Sequence, residues 1–229
     1  LEIGFEAEMA EIARLLPNVR KKILTSATQG VSIPAFVGLK NPTIINYLAE
    51  GVRDLKLEAI ISPSKDKLET LAEALIQLKG EPGIVFCNFK ESIHRVSEFL
   101  FSKGINHGCF YGGMEQQDRE RALIKFRNGT HQLLLATDLA ARGIDVPETK
   151  FIIHYHLPIR GQEFIHRNGR TARMHRDGTA YVLHWEQEAL PDFIPKLETA
   201  NLSSKSSTTS QSWKTLFITG GRRDKISKV

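Results

Sequence analysis

The residues best suited to chemistry in this sequence are the basic side chains between His166 and Arg173. Three arginines in this run, Arg167, Arg170 and Arg173, follow one another at intervals of three residues. Positions i and i+3 of a helix share a face, so the three guanidinium groups could converge on one point. Converging arginines suit a transferring phosphoryl group, because the planar guanidinium donates bidentately and does not deprotonate. A solvated basic helix face is the alternative interpretation.

A second candidate segment follows a run of three leucines and an alanine. It begins with Thr137 and Asp138 and continues through small residues to Arg142, Gly143 and Asp145. A short polar side chain at the end of a strand, followed by a helical turn of small residues, lets the backbone approach phosphates closely. Asp145 could also accept hydrogen bonds from a ribose hydroxyl. Helix capping is the competing explanation for either aspartate taken singly.

A third candidate is the pair Gly112 and Gly113, which precedes Arg119 by a few residues. Paired glycines at the junction of a strand and a helix expose backbone N–H groups, and such groups can bind an anion. A tight turn followed by an ordinary surface arginine is the alternative.

Alternating strands and helices must position these residues. Strands are predicted at 56–61, 83–87, 107–110, 132–136, 150–154 and 179–184. Helices are predicted at 64–79, 90–103, 114–128, 138–142, 161–170 and 186–197. Gly80, Gly104 and Gly129 stand where helix ends need a positive φ, and Ser64 with Asp66 indicates a helix start. The alternation predicts an α/β fold with a parallel sheet covered by helices on both faces, and ligands at the carboxyl ends of the strands.

The segments on either side of this alternation differ from it. Near the beginning, helices over 5–16 and 31–39 and short strands at 22–24 and 43–45 indicate the end of one domain, since they bury too little to stand alone. Residues 200–212 are rich in Ser and Thr and read as a flexible linker. A strand and a basic turn follow at 213–229 and indicate the start of a further unit.

Composition narrows the class of protein. The chain has 229 residues, 41% of them hydrophobic, and a net charge of +5, which favours a polyanionic partner. It has no apolar run long enough for a transmembrane helix and no secretion signal. Cys87 and Cys109 are expected to be reduced core thiols of a cytoplasmic protein, with a disulfide as the alternative; two cysteines do not make a zinc site. The chain begins at Leu1 without Met, so a fragment of a longer protein is expected.

Five segments together resemble the motifs of DEAD-box ATP-dependent RNA helicases, in the order that this family has them. They are 25–28 (Thr-Ser-Ala-Thr, motif III), 84–89 (motif IV), 116–119 (QxxR), 136–145 (motif V) and 166–173 (HRxGRxxR, motif VI). The similarity spans residues 1–195, and any one motif alone would be weak. It implies the end of a first RecA-like lobe at 1–46, an interdomain linker at 47–55, and the second RecA-like lobe, the helicase C-terminal domain, at 56–199.

The resemblance also implies roles for individual residues. Arg170 and Arg173 resemble arginine fingers that reach the γ-phosphate of ATP, and Arg167 and His166 would couple that contact to the first lobe. The ribose of ATP would be bound by Asp145 with Gly143. Contacts with the RNA backbone would come from Asn88, Gly112, Gly113, Arg119, Thr137 and Arg142. The residues that link hydrolysis to unwinding would be Ser26, Ala27 and Thr28.

The implied activity is that of the full-length enzyme, which couples ATP hydrolysis to the unwinding of RNA duplexes. ATP would enter with Mg²⁺, and the first lobe would hold most of the metal. The chain has no G-x-x-x-x-G-K-[ST] loop and no Asp-Glu-Ala-Asp segment, so we expect no ATP hydrolysis by this chain alone. A monomer that binds structured or ribosomal RNA and no membrane is expected. A non-catalytic RNA-binding or scaffold module and a DNA helicase of the wider superfamily are the alternatives.

Departures from the family pattern accompany the resemblance. Tyr111 stands where the family usually has His, and Ala172 and Met174 replace the commoner residues at the end of motif VI. Residues 213–225 resemble the first strand and turn of the RRM-like domain found in certain bacterial DEAD-box helicases that act on ribosomal RNA. A disordered basic tail is the competing interpretation of that segment.

Overall fold

A central parallel sheet organises the part of the chain that the structure describes. The structure is a computed structural model, and it describes residues 6–25, 33–39, 41–45, 55–141, 149–171 and 178–202. The strands are β1 (Leu55–Ser62), β2 (Gly83–Phe86), β3 (Gly108–Phe110), β4 (Leu133–Ala136), β5 (Phe151–His154), β6 (Gly178–Trp185) and β7 (Glu198–Thr199). Their order is β3-β4-β2-β5-β6-β1-β7, and every pair is parallel.

Helices connect the strands and cover the sheet. They are α1 (Glu6–Leu15), α2 (Leu68–Gln77), α3 (Lys90–Ser102), α4 (Gln116–Arg127), α5 (Asp138–Ala141) and α6 (Gly161–Asn168), with a 3-10 turn at Ala35–Val37. Gly80, Gly104 and Gly129 follow α2, α3 and α4 with φ of 88°, 73° and 76°, which confirms their prediction as helix ends. None of the helices in the described ranges is long and apolar enough to cross a lipid bilayer.

Both faces of the sheet are buried, as a parallel sheet requires. Alternate residues of β2 point to opposite sides: Val85 and the following Cys87 pack under α2 and α3, whereas Ile84 and Phe86 pack against the helices of the other side. A smaller cluster joins Phe164 of α6 to β6. The prediction of a parallel α/β sheet with helices on both faces is therefore confirmed. The two cysteines are free thiols, and burial raises the pKa of Cys87 to about 12.

The strand pair β2–β5 contains a close approach that only glycine permits. Gly83 pairs with Phe151, and a Cβ added at Gly83 would lie 2.1 Å from the Phe151 ring. We expect Gly83→Ala to lower the free energy of unfolding by about 1–3 kcal/mol, because the overpacked ring must leave its place in the core. Urea unfolding measures this, with Gly112→Ala as the control, since a Cβ there meets nothing within 4 Å. Equal stability of the two variants would contradict the prediction.

Several predicted elements differ in the structure. The helix predicted at 186–197 is wrong: the segment forms turns, because Pro191 and Pro195 cannot donate backbone hydrogen bonds and disfavour helix in the preceding residue. Of the helix predicted at 31–39, only the 3-10 turn is present among the described residues. Residues 22–24 and 43–45 are described and are not strands.

The C-terminal boundary of the lobe also lies later than predicted. Glu198 and Thr199 form β7 beside β1, and the N–H of Ala200 donates to the carbonyl oxygen of Ala59 at 2.8 Å. Ala200 and Leu202 pack against the core. The first residues assigned to the linker are therefore part of the folded lobe.

Candidate functional site

The carboxyl ends of β2, β4 and β5 carry the polar residues of the candidate site. Asn88 follows β2, Thr137 and Asp138 follow β4, and His154 and His156 lie at the end of β5. These three strands are adjacent in the sheet, in the order β4-β2-β5. Segments that are distant in the sequence therefore meet at one edge, as expected for a parallel sheet.

Arg167 is at the centre of this edge. It lies on α6, is 1% exposed, and makes a hydrogen bond with each of its five N–H groups. Nε and one terminal nitrogen donate to the Asp138 carboxylate at 2.8 and 2.6 Å, and that same terminal nitrogen donates to Asn88 Oδ1 at 2.8 Å. The other donates to the His156 carbonyl oxygen at 2.8 Å and to His154 Nδ1 at 3.5 Å. We call Arg167, Asp138, Asn88, His154 and His156 the Arg167 network.

The burial of this charge is compensated within the network. The Arg167 side chain is fully buried and that of Asp138 is 20% exposed, so the pair lies largely outside bulk water. A buried charge is tolerated when it is paired and its hydrogen bonds are satisfied, which the bidentate contact and three further acceptors achieve here. The Phe86 ring, 5.3 Å from the guanidinium carbon, adds a cation–π contact.

His154 takes part in the network as a neutral ring. Arg167 can only donate, so Nδ1 of His154 accepts and the proton resides on Nε2, which donates to Asn168 Oδ1 at 3.0 Å. Complete burial, together with the positive charge of Arg167, lowers the pKa of His154 to about 3. The ring is therefore a fixed acceptor at neutral pH.

Asn88 is held on three sides. Its side-chain amide donates to the Leu157 carbonyl oxygen at 3.0 Å, its Oδ1 accepts from Arg167, and its backbone N–H donates to His156 Nδ1 at 3.2 Å. Burial and the nearby Lys67 and Arg167 lower the pKa of His156 to about 4, so this ring is also a neutral acceptor. The Asn88 side chain thus joins β2 to the segment after β5.

Arg167 and Arg170 do not share one helix, as the predicted helix 161–170 would require. Helix α6 ends at Asn168, two residues earlier than predicted, so Arg170 lies beyond the helix, and Arg167 points into the lobe. Two threonines hold the backbone of Arg170. Thr149 Oγ1 donates to the Arg170 carbonyl oxygen at 2.8 Å, and Thr171 Oγ1 donates to the Thr149 carbonyl oxygen at 2.7 Å.

A pocket of about 430 Å³ opens beside the network. It brings together three of the residues expected to contact RNA, namely Asn88, Gly112 and Thr137. The other lining residues are Phe89, Lys90, Glu91, Asp138, Ile159 and Glu163. The walls therefore come from the segments after β2, β3 and β4 and from the start of α6.

The remaining predicted residues are distributed around this edge. Gly112 and Gly113 are exposed in the turn before α4, and Gly113 has φ of 86°. Arg119 lies in the first turn of α4, with its guanidinium carbon 4.6 Å from the centre of the Phe110 ring. His166 is partly buried, and its Nδ1 is a buried atom without a hydrogen-bond partner. Other predicted residues lie outside the described residues: Ser26, Ala27, Thr28, Arg142, Gly143, Asp145 and Arg173.

Two members of the network were not among the residues identified from the sequence. His154 and His156 lie at the end of a buried strand that reads Phe-Ile-Ile-His, followed by Tyr155. The sequence did contain a signal for them, because both histidines lie at the carboxyl end of a predicted parallel strand. Ligands of parallel sheets bind at that edge, so polar residues there are candidates for the site. Among the described residues there is no cluster of three or more His, Cys, Asp or Glu side chains that could hold a metal ion.

The sequence of this chain is similar to known helicases. Residues 66–175 match the family model described as the helicase conserved C-terminal domain. DEAD-box ATP-dependent RNA helicase 9 of Oryza sativa subsp. japonica is 34% identical over 196 residues, which are 82% of this chain and 31% of that protein. ATP-dependent RNA helicase DbpA of Bacillus subtilis is 32% identical over 198 residues, which are 84% of this chain and 41% of that protein.

A solved structure gives the same result. S. cerevisiae Dbp5 bound to RNA and ADP BeF3 aligns with a TM-score of 0.67 and 25% identity, over 81% of this chain and 50% of that one. The chain spans between 25% and 31% of the length of the first three curated relatives that it matches. The similarity therefore concerns one lobe of larger proteins.

Proposed function

Because this chain carries the C-terminal RecA-like lobe of a DEAD-box RNA helicase, we propose that it supplies half of the ATP site and half of the RNA site of an ATP-dependent RNA helicase. Each lobe would hold part of both sites, and closure of the two lobes would complete them. Hydrolysis of ATP would then be coupled to the unwinding of an RNA duplex, because both ligands bind tightly only in the closed state.

The Arg167 network is the observation that carries this proposal. It ties α6, which leads into the proposed arginine fingers, to Asn88 and Asp138, which line the proposed RNA pocket. All N–H groups of Arg167 are hydrogen-bonded, so the segments that accept from them are held rigidly together. The proposed phosphate-facing and RNA-facing segments of this lobe therefore move as one body when the lobes close.

On the ATP side, Arg170 and Arg173 are proposed to reach the γ-phosphate, with Asp145 and Gly143 at the ribose. The fixed backbone of Arg170 supports this role, because a finger must be positioned before the phosphate arrives. His166, a partly buried residue of α6, is proposed to couple this contact to the first lobe. When bound, Mg²⁺ would neutralise phosphate charge, and the first lobe is proposed to hold it.

On the RNA side, the pocket suits recognition of the backbone. Gly112 offers backbone that no side chain covers, and Thr137 offers a hydroxyl group. Lys90 lines the same pocket. Such groups bind phosphates and 2′-hydroxyls, so affinity would depend little on base sequence. Arg119 and Arg142 are proposed to add charge at this surface. We further propose that the RNA is structured or ribosomal and that residues 213–229 begin an RNA-binding domain.

Reconstitution of the two lobes tests the proposed function. We expect no RNA-stimulated ATP hydrolysis from this chain alone, and clear hydrolysis when it is mixed with the first lobe of the same protein, made separately. RNA should stimulate the mixture, and DNA of the same sequence should not. Stimulation by DNA would favour the DNA-helicase alternative. RNA binding without any ATP hydrolysis in the mixture would overturn the proposed helicase activity and favour a non-catalytic binding module.

A further inference from the structure

Phe89 has a position in the structure that helix stability does not explain. It is the N-cap residue of α3, with φ of −129° and ψ of 150°, and its side chain makes no cap hydrogen bond. Ser, Thr, Asp and Asn are preferred at an N-cap, because their oxygen accepts from a free N–H of the first turn. Phe89 gives up that bond and leaves 58% of its surface exposed. An aromatic residue here therefore costs stability without filling the core.

The exposed ring lies at the proposed RNA pocket. Phe89 lines the 430 Å³ pocket together with Asn88, Gly112 and Thr137, and Lys90 follows it in the chain. Across the pocket, Ile159 is 69% exposed. Its backbone N–H donates to the Glu163 carboxylate at 2.9 Å, so the capping of α6 fixes the loop that presents it. The pocket thus combines a polar floor with two apolar side chains held on ordered backbone.

We propose that Phe89 is a stacking platform for one base of the bound RNA strand. This inference rests on the proposed RNA-binding role of the same pocket and adds a contact with a base to contacts with the backbone. Every base has a π face, so an exposed aromatic ring adds affinity without reading sequence. Lys90, beside the ring, supplies positive charge for the adjoining phosphate. Single-stranded RNA is the occupant, because a base paired within a duplex has no free face.

Another phenylalanine of the same helix provides the control. Phe101 lies near the opposite end of α3 and is 79% exposed, and it is not among the residues that line the pocket. The variants Phe89→Ser and Phe101→Ser remove the same aromatic group from the same helix. Phe89→Trp keeps an aromatic ring at the pocket.

Binding of the full chain to a labelled single-stranded RNA of one repeated base, followed by fluorescence anisotropy, tests the inference. We expect Phe89→Ser to weaken binding roughly tenfold, in the range found when one stacked base loses its aromatic partner. Phe101→Ser should bind as the unchanged chain does, and Phe89→Trp should keep full affinity. Thermal unfolding should show Phe89→Ser to be at least as stable as the unchanged chain, because serine can cap α3.

An RNA with abasic sites separates stacking from other roles. Abasic RNA should bind more weakly than normal RNA to the unchanged chain, and equally to Phe89→Ser. If Phe89→Ser weakens binding to both RNAs by the same factor, the ring does not stack on a base and supports binding of the RNA backbone instead. Unchanged affinity of Phe89→Ser for normal RNA would overturn this inference alone. Failure of the unchanged chain to bind any RNA, even when it is mixed with the first lobe and ATP, would overturn the proposed function with it.

Discussion

Replacing Arg170 by alanine is expected to lower RNA-stimulated ATP hydrolysis by the two-lobe enzyme about a thousandfold, the lower end of the range for an arginine finger. A guanidinium fixed beside the γ-phosphate stabilises the charge that develops as the phosphoryl group transfers. Arg170→Lys should recover only part of the rate, because an ammonium group lacks the planar bidentate donor. Arg173→Ala should have an effect of similar size. The rate of phosphate release in the reconstituted mixture, at saturating RNA and ATP, measures all three.

The control for this prediction is Arg121→Ala on α4, whose side chain is 69% exposed and forms an ion pair with Asp118 at 3.5 Å. It removes an equal charge from the surface and should leave the rate within about twofold, as expected for an exposed ion pair that contributes little. Urea unfolding should show Arg170→Ala to be folded. If its rate stays within tenfold of the unchanged enzyme, Arg170 is not a finger.

Arg167→Ala is expected to destabilise the lobe strongly, whereas Arg170→Ala is expected to lower activity and leave the lobe folded. We expect the free energy of unfolding to fall by about 3–5 kcal/mol, because the partly buried Asp138 carboxylate loses its cation. Asn88 Oδ1 and the His156 carbonyl oxygen lose a donor as well. Arg167→Lys should not restore stability, since three donors on a compact ammonium cannot replace five in a fixed fork. Urea unfolding of the full chain, with midpoint and slope both fitted, measures the change.

A matched variant is Arg95→Ala. Arg95 forms an ion pair with Asp66 at 2.9 Å, and the two side chains are 61% and 58% exposed. Loss of this pair should cost no more than about 1 kcal/mol, because water screens both charges. If Arg167→Ala and Arg95→Ala are equally stable, the Arg167 network does not hold the lobe together, and the proposal that its segments move as one body fails.

Local sequence rules were sufficient for the sheet and for most of the helices. The strands at β2, β4 and β5 are short apolar runs that must be buried, and Gly80, Gly104 and Gly129 end helices because positive φ favours glycine. The same rules were wrong at 186–197, where apolar spacing suggested a helix. There, Pro191 and Pro195 outweighed the spacing, because each removes a donor and restricts the residue before it.

The candidate site was predictable in part. The carboxyl edge of the sheet does collect Asn88, Thr137 and Asp138, as the alternation of strands and helices predicted. The direction of Arg167 was not predictable from spacing, because i and i+3 geometry places a residue on a face without stating whether that face is buried. The acceptors that draw Arg167 inward lie at the carboxyl ends of β2, β4 and β5, and a sequence does not show which strands will be neighbours. The roles of Arg170 and Arg173 stay predictions.

The placement of β1 in the sheet has a consequence for synthesis of the protein. Of the seven strands in the described residues, β1 is made first, yet its neighbours are β6 and β7, and Leu55 pairs with Gly178. Roughly 120 further residues must leave the ribosome before β1 can pair, which takes on the order of ten seconds at typical elongation rates. During that time the nascent chain exposes an apolar strand with two unpaired edges, a recognised starting point for aggregation. We therefore expect this lobe to engage a chaperone during translation and to release it when β6 emerges.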